Sequence, residues 1–451
     1  MKSWLVGLAF VLGCGEGSPT PVPAPVERPV PTAKATPWSD AWILAEGSRY
    51  LDDPVFRREA LEHSMTDGSN VYSATRLSAY GQGTRGWDVL PVWSPRVHPV
   101  TAGVAEELRS TARFELPAEA APMWDEVRPS TFEGWAALGR EVFFSYPLRP
   151  EAQAAHAVAD PRVAKRVGFE PTSEGSWPGV VAFEDIDGRA KIGITCALCH
   201  VSIEDGQAVV GRARRDLDYG QMRLAWHADT GAALSKTLAQ RMANWGPGRA
   251  DITADDDEDP VAIVDLWGLR ELRHLTQAAT VTHDHPAALA IRQETQILHA
   301  NRERTRPPRE LAWALAVYLY TLEPPPAGDA DAPAVGRGAS LFEAECSGCH
   351  SEPSGAGSPI AAVRVGTDRN LAQGTARGTG LYRPAPLIRV GDAAPYLHDG
   401  TVATLEALFG RERLRDGYVG PRGRGAVKGH AYGVDLPQAS KRDLIAYLRS
   451  R

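Results

Sequence analysis

Apolar residues recur at helical spacing in several stretches of the chain and alternate in another, and these periods predict its elements. From Asp53 to His63, Val55, Ala60 and Leu61 are expected to share a helix face. Leu138-Gly139-Arg140-Glu141-Val142-Phe143-Phe144 reads as an apolar helix entered through a glycine and a basic residue. Val335-Gly336-Arg337-Gly338-Ala339-Ser340-Leu341-Phe342 repeats that reading. Leu311 to Leu322 and Asp443 to Leu448 are again apolar at helical spacing, and prolines 324 to 326 end the first of them. Val180-Val181-Ala182-Phe183 and Lys191-Ile192-Gly193-Ile194, joined by Asp185-Ile186-Asp187-Gly188, alternate and turn as a β-hairpin.

These elements predict a mainly α fold with an internal repeat of opening helix, loops and closing helix. The units run over 131–326 and 327–451. The first carries an insertion from Pro150 to Ile194, and its span from Val201 to Pro308 is long. Residues 38–130 form an N-terminal extension, expected to be helical and irregular and packed on the rest. Residues 15–37, rich in Pro, Thr, Ala and Ser, cannot build a core and read as an extended tether.

At 451 residues, with 43% hydrophobic and 23% charged positions, the chain has ordinary globular composition. Its net charge of −7 gives no basic footprint and argues against nucleic acid as a partner. Chemistry enters with the cysteines. Four of the five lie in Cys196-Ala197-Leu198-Cys199-His200 and Cys346-Ser347-Gly348-Cys349-His350. Two cysteines two residues apart, with histidine directly after, is the signature of covalent haem c attachment. The thiols add to the porphyrin vinyl groups, and His200 and His350 supply the proximal iron ligands. A redox dithiol or half of a zinc site is the competing reading, but zinc wants a second pair of ligands. Two covalent haem c groups are therefore the expected cofactors.

The sixth iron position decides function, because a strong ligand suits electron transfer and an open position permits peroxide or dioxygen chemistry. The methionines are residues 1, 65, 123, 222 and 242, so none follows Cys349. For the second haem this leaves His430, His398 and Tyr382. His430 is preferred, because its neighbouring glycines allow close backbone approach to the porphyrin. For the first haem, His227 and Met222 in the loop after the motif, His274, His283 and His285 further on, and an open iron all stay in play. Trp245-Gly246-Pro247-Gly248-Arg249 reads as a turn that aims an arginine, with haem propionates or solvent as its target. The acidic run from Asp251 to Asp259 is a solvated loop or a calcium site.

Trp4 to Leu12 is too short to span a bilayer and leads into Val11-Leu12-Gly13-Cys14. That end resembles a bacterial lipobox, which implies a signal peptide over 1–14, lipidation of Cys14 and attachment to a membrane surface through acyl chains.

Beyond these motifs, the plan from about Thr131 to Arg451 resembles the bacterial di-haem cytochrome c peroxidase superfamily, with its peroxidase, quinone-cofactor-maturation and rubber-oxygenase branches. Leu138-Gly139-Arg140 through Phe143-Phe144 looks like the family's opening. Pro386-Leu387-Ile388-Arg389 and Ala394-Pro395-Tyr396-Leu397-His398-Asp399-Gly400 through Leu405 are similar to its most specific segment. Gly429-His430-Ala431-Tyr432-Gly433 looks like an element of the oxygenase-like branch. The resemblance implies two cytochrome c-like domains in tandem and bis-histidine ligation through His430. It also implies His398 near the haem but off the iron, His227 as the nearest analogue of a releasable ligand, and a calcium ion between the haems. The function expected is electron transfer by a lipid-anchored, periplasmic di-haem cytochrome that serves a redox partner. The alternative is a peroxidase- or oxygenase-like enzyme with the first haem reactive and the second as relay.

Overall fold

The computed structural model describes residues 35–451 except 111–113, 252, 254–258, 329–330 and 352. Cys14 and nearly all of the proline-rich tether lie outside the described residues, as does most of the acidic run.

Helices dominate the described chain. Two helix crossings organise it. The Phe132–Ser145 helix begins at Thr131, whose hydroxyl accepts from the Gly134 amide. The Arg309–Leu319 helix lies across it. They meet at Gly139, where an added Cβ would stand 1.9 Å from the Ala314 carbonyl oxygen and 2.6 Å from Tyr318 Cβ. The Ala332–Glu345 and Gln438–Arg449 helices meet the same way. A Cβ on Gly338 would stand 2.1 Å from the Asp443 carbonyl oxygen and 2.7 Å from Tyr447 Cβ. One turn after each glycine a phenylalanine meets the tyrosine of the facing helix: Phe143 and Tyr318 at 5.5 Å between ring centroids, Phe342 and Tyr447 at 5.2 Å. The glycine is thus a contact inside the helix and not an entrance to it. In the second pair Gly338 carries the contact, while a side chain on Gly336 would meet nothing.

The N-terminal helices Asp40–Asp52, Pro54–His63 and Val71–Ala79 share one apolar core with the Pro286–Ala300 and Arg309–Leu319 helices. Asp53 caps the second of them by accepting from the Val55 and Phe56 amides. Its inward face differs from the expected one. Val55 is 65% exposed, whereas Phe56 and Leu61 are buried and Ala60 is half-buried. At 3.6 residues per turn, Val55 shares its bearing with Glu59 and Glu62, and Phe56 shares its own with Ala60. A buried polar knot ties the extension down. The Tyr50 and Tyr80 hydroxyls each donate to Glu294 Oε2 at 2.8 Å, and Arg309 pairs with Glu294 and Asp88.

Val180–Glu184 and Ala190–Ile194 form the expected antiparallel hairpin, with Val180 opposite Ile194 and Glu184 opposite Ala190. Arg96–Pro99 extends it along Val181 to Phe183 within a five-stranded sheet. A second core lies between this sheet and helices that include Tyr219–Thr230 and Lys236–Trp245. The last hairpin strand runs directly into Thr195 and the first cysteine motif, which therefore sits on a rigid element.

Because no side chain fits at the first crossing, Gly139→Ala should lower stability to denaturant by about 1–3 kcal/mol or more. Gly336→Ala should leave it unchanged or slightly raised. Equal unfolding midpoints for wild type and G139A would contradict the role given to the crossing.

Candidate haem sites

Both cysteine motifs form a single helical turn. Ala197–His200 is a short helix, and the His350 and Cys349 amides donate to the Cys346 carbonyl. The four cysteines are free of disulfides. Burial pushes the thiols of Cys196, Cys199 and Cys346 up, to about 12, 11 and 11. A redox dithiol needs the opposite shift, toward thiolate. The two histidines are held alike. His200 Nδ1 lies 3.0 Å from the Val264 carbonyl oxygen, and His350 Nδ1 lies 2.8 Å from that of Gly355. A carbonyl only accepts, so Nδ1 carries the proton and Nε2 presents its lone pair, as a metal-ligating histidine requires. Desolvation opposes charging of either ring and lowers His200 to about 4.

At the second motif a partner ring is close. The His350 and His430 centroids are 6.2 Å apart with planes at 71°. Two imidazoles bound on opposite sides of one metal, each nitrogen about 2.0 Å from it, have centroids roughly 6 Å apart. The His430 backbone is in the left-handed region, at φ 52°, which a non-glycine residue occupies only when its surroundings impose it. Here Arg413, fully buried, imposes it. Its guanidinium donates to the carbonyls of Leu408, Val427, Gly429 and His430 at 2.6–2.8 Å. The His430 amide donates in turn to the Val365 carbonyl. The neighbouring glycines serve the chain itself and not the porphyrin. A Cβ on Gly429 would stand 2.3 Å from Thr367 Cα, and Gly433 packs against Phe409. Burial, with His350 adding to it, lowers His430 to about 4. The other candidates engage each other: the Tyr382 hydroxyl lies 3.2 Å from His398 Nε2 and donates to the Asp368 carbonyl at 2.8 Å.

At the first motif no ring stands to His200 as His430 stands to His350, among the described residues. Met222 and His227 are not in a loop but on the Tyr219–Thr230 helix, capped by Asp218. Met222 is fully buried in the cluster that holds Leu198, Trp245 and Met242. His227 Nδ1 bonds the Ala232 carbonyl, and its ring lies against Trp226. His283 has both nitrogens engaged, with the Leu272 carbonyl and the Tyr320 hydroxyl at 2.7 Å each. His285 caps its helix and pairs with Glu46 at 3.1 Å. His274 is half-buried and faces the loop after the second motif, alongside Ser351 and Ser354. Arg249 is 8% exposed and closes its own turn by donating to the Trp245 and Pro260 carbonyls. It is neither a surface group nor aimed outward.

The donor set fits haem c. Each motif offers two free thiols and a histidine with its lone pair presented. Beside Cys199 lies Arg214, 1% exposed, stacked 5.0 Å from the Phe169 ring centroid, with both terminal guanidinium nitrogens free of hydrogen bonds, a donor pair that suits a haem carboxylate. Arg214 and Arg413 give no sequence signal, because their roles depend on partners that only folding brings close. For calcium, no group of three or more His, Cys, Asp or Glu side chains among the described residues is placed to hold a metal ion.

His283 makes a pH prediction. Burial lowers it from 6.5 to about 4, so the folded state favours its neutral form. Its contribution is complete above pH 6.5 and is lost as pH falls toward 4, by up to roughly 3 kcal/mol. His283→Gln should flatten the acid limb of stability against pH. An unchanged limb would contradict this.

No family model and no curated protein matches the chain. Among solved structures, a chain of hydrazine synthase from Kuenenia stuttgartiensis, studied under xenon pressure, has a TM-score of 0.34 and 15% identity, covering 80% of this chain and 97% of that chain. A likeness of that size carries no argument about the chemistry.

Proposed function

We propose that the chain is a di-haem c-type cytochrome whose second haem is a six-coordinate electron-transfer centre. Cys346 and Cys349 would bind that haem, and His350 and His430 would ligate its iron. The observation that carries the reading is the 6.2 Å separation of the two imidazoles, each held by backbone contacts independent of the other. Bound haem supplies one-electron chemistry at iron, and bis-histidine ligation suits transfer at low potential. Cys196, Cys199 and His200 would hold the first haem. The glycine-centred helix crossings support reading residues 131–326 and 327–451 as two cytochrome-like units in tandem. Lipidation of Cys14, residence in the periplasm at a membrane surface and a protein or small-molecule redox partner belong to the same proposal and rest on the sequence motif.

A second reading has its own support. The histidines and the methionine that the sequence offers as sixth ligands of the first haem are engaged elsewhere, buried in an apolar cluster or beside the second motif. An iron lacking a sixth protein ligand would be a reactive centre, with the second haem as its relay, as in a peroxidase- or oxygenase-like enzyme.

His430→Ala tests the first reading. The oxidised variant should convert one haem from low to high spin in its EPR and optical spectra and retain both covalent haems. An unchanged spectrum would remove His430 as the ligand.

A further inference from the structure

The Val71–Ala79 helix brings Tyr72 and Arg76 against the face of the Pro286–Ala300 helix that bears Arg292, Thr295 and His299. Arg377 approaches from the C-terminal unit. Two guanidinium groups lie over the Tyr72 ring: the Cζ atoms of Arg76 and Arg377 are each 4.7 Å from its centroid. Arg76 is 0% exposed, and all three of its guanidinium nitrogens are buried with no hydrogen-bond partner. Among the described residues, none of the three arginines is ion-paired with a carboxylate. The acids that act on the cluster do so from its edges, Asp259 on Arg377 and Glu303 on His299.

Burying an uncompensated charge is costly, and three together with an acid only at the cluster's edge cost more. Tyr72 does not neutralise them. Burial alone would raise its phenol, the three arginines outweigh burial and hold it at about 8, and at neutral pH it stays mostly protonated. Arg76 closes the cluster, while Arg292 and Arg377 are half-buried and keep accessible surface. Arg292 also acts electrostatically on the Cys196 thiol and the His200 imidazole, so the cluster adjoins the first motif.

We propose that Arg76, Arg292 and Arg377 form a binding site for an oxyanion or carboxylate beside the first cysteine motif. The guanidinium fork matches two oxygens of such a group. Two sources share this chemistry: a free small anion, or a carboxylate of the haem bound at Cys196 and Cys199. The second source rests on the haem reading above, and the first does not.

The test uses the purified full chain as wild type, Arg377→Gln and Arg292→Gln, with folding checked by circular dichroism and haem content by the pyridine haemochrome. Calorimetric titration with sodium nitrate, phosphate and acetate is expected to show saturable binding to wild type, weakened roughly ten-fold or more in either variant. If the haem carboxylate fills the site, none of these anions binds wild type. Both variants then shift the potential of the first haem or lower its occupancy at the Cys196 peptide by mass spectrometry. Anion binding that both variants leave unchanged overturns the proposal. So does absence of binding with haem occupancy and potential unchanged. If wild type carries no haem at all, the haem reading fails separately and the titration alone decides.

Discussion

A histidine that takes a metal must keep one nitrogen bare, and the other must be held so that the bare one points the right way. His200 and His350 meet that demand with the same device, a backbone carbonyl at Nδ1. Everything proposed for the chain depends on it. The thiols of each motif are common to several chemistries, but raised thiol pKa values and free sulfurs disfavour redox exchange and leave covalent attachment as the best fit.

The scaffold explains how the device is kept in place. Each motif is reached from a stiff element: the hairpin strand ending at Ile194 for the first, the helix ending at Glu345 for the second. Each unit is closed by a helix crossing at a glycine so tight that no Cβ fits. What differs is the far side. A single buried arginine, four carbonyls and a left-handed residue fix His430 near His350, and no such construction stands near His200 among the described residues. The two motifs are alike in sequence and unequal in surroundings.

Much of this inequality was readable from the chain, and the rest was not for definite reasons. The absence of methionine after Cys349 by itself narrows the second ligand set. The hairpin followed from alternation and a turn. Val55 falls off the buried face because positions 55 and 61 point about a third of a turn apart around a helix. Met222 and His227 carry no helical signal in the sequence because the Tyr219–Thr230 helix is only weakly amphipathic, with polar and apolar positions mixed around it. The glycines beside His430 pointed to it for the wrong reason, since they accommodate Thr367 and Phe409. Arg413, Arg214 and the arginines around Tyr72 were invisible, because an arginine's partner, or its lack of one, is a long-range fact.

The most direct measurement of the central claim is a quantitative low-temperature EPR spectrum of the oxidised full-length protein. The account predicts a low-spin haem with two axial histidines, accounting for at least half of the iron, and absence of any such low-spin signal would contradict it.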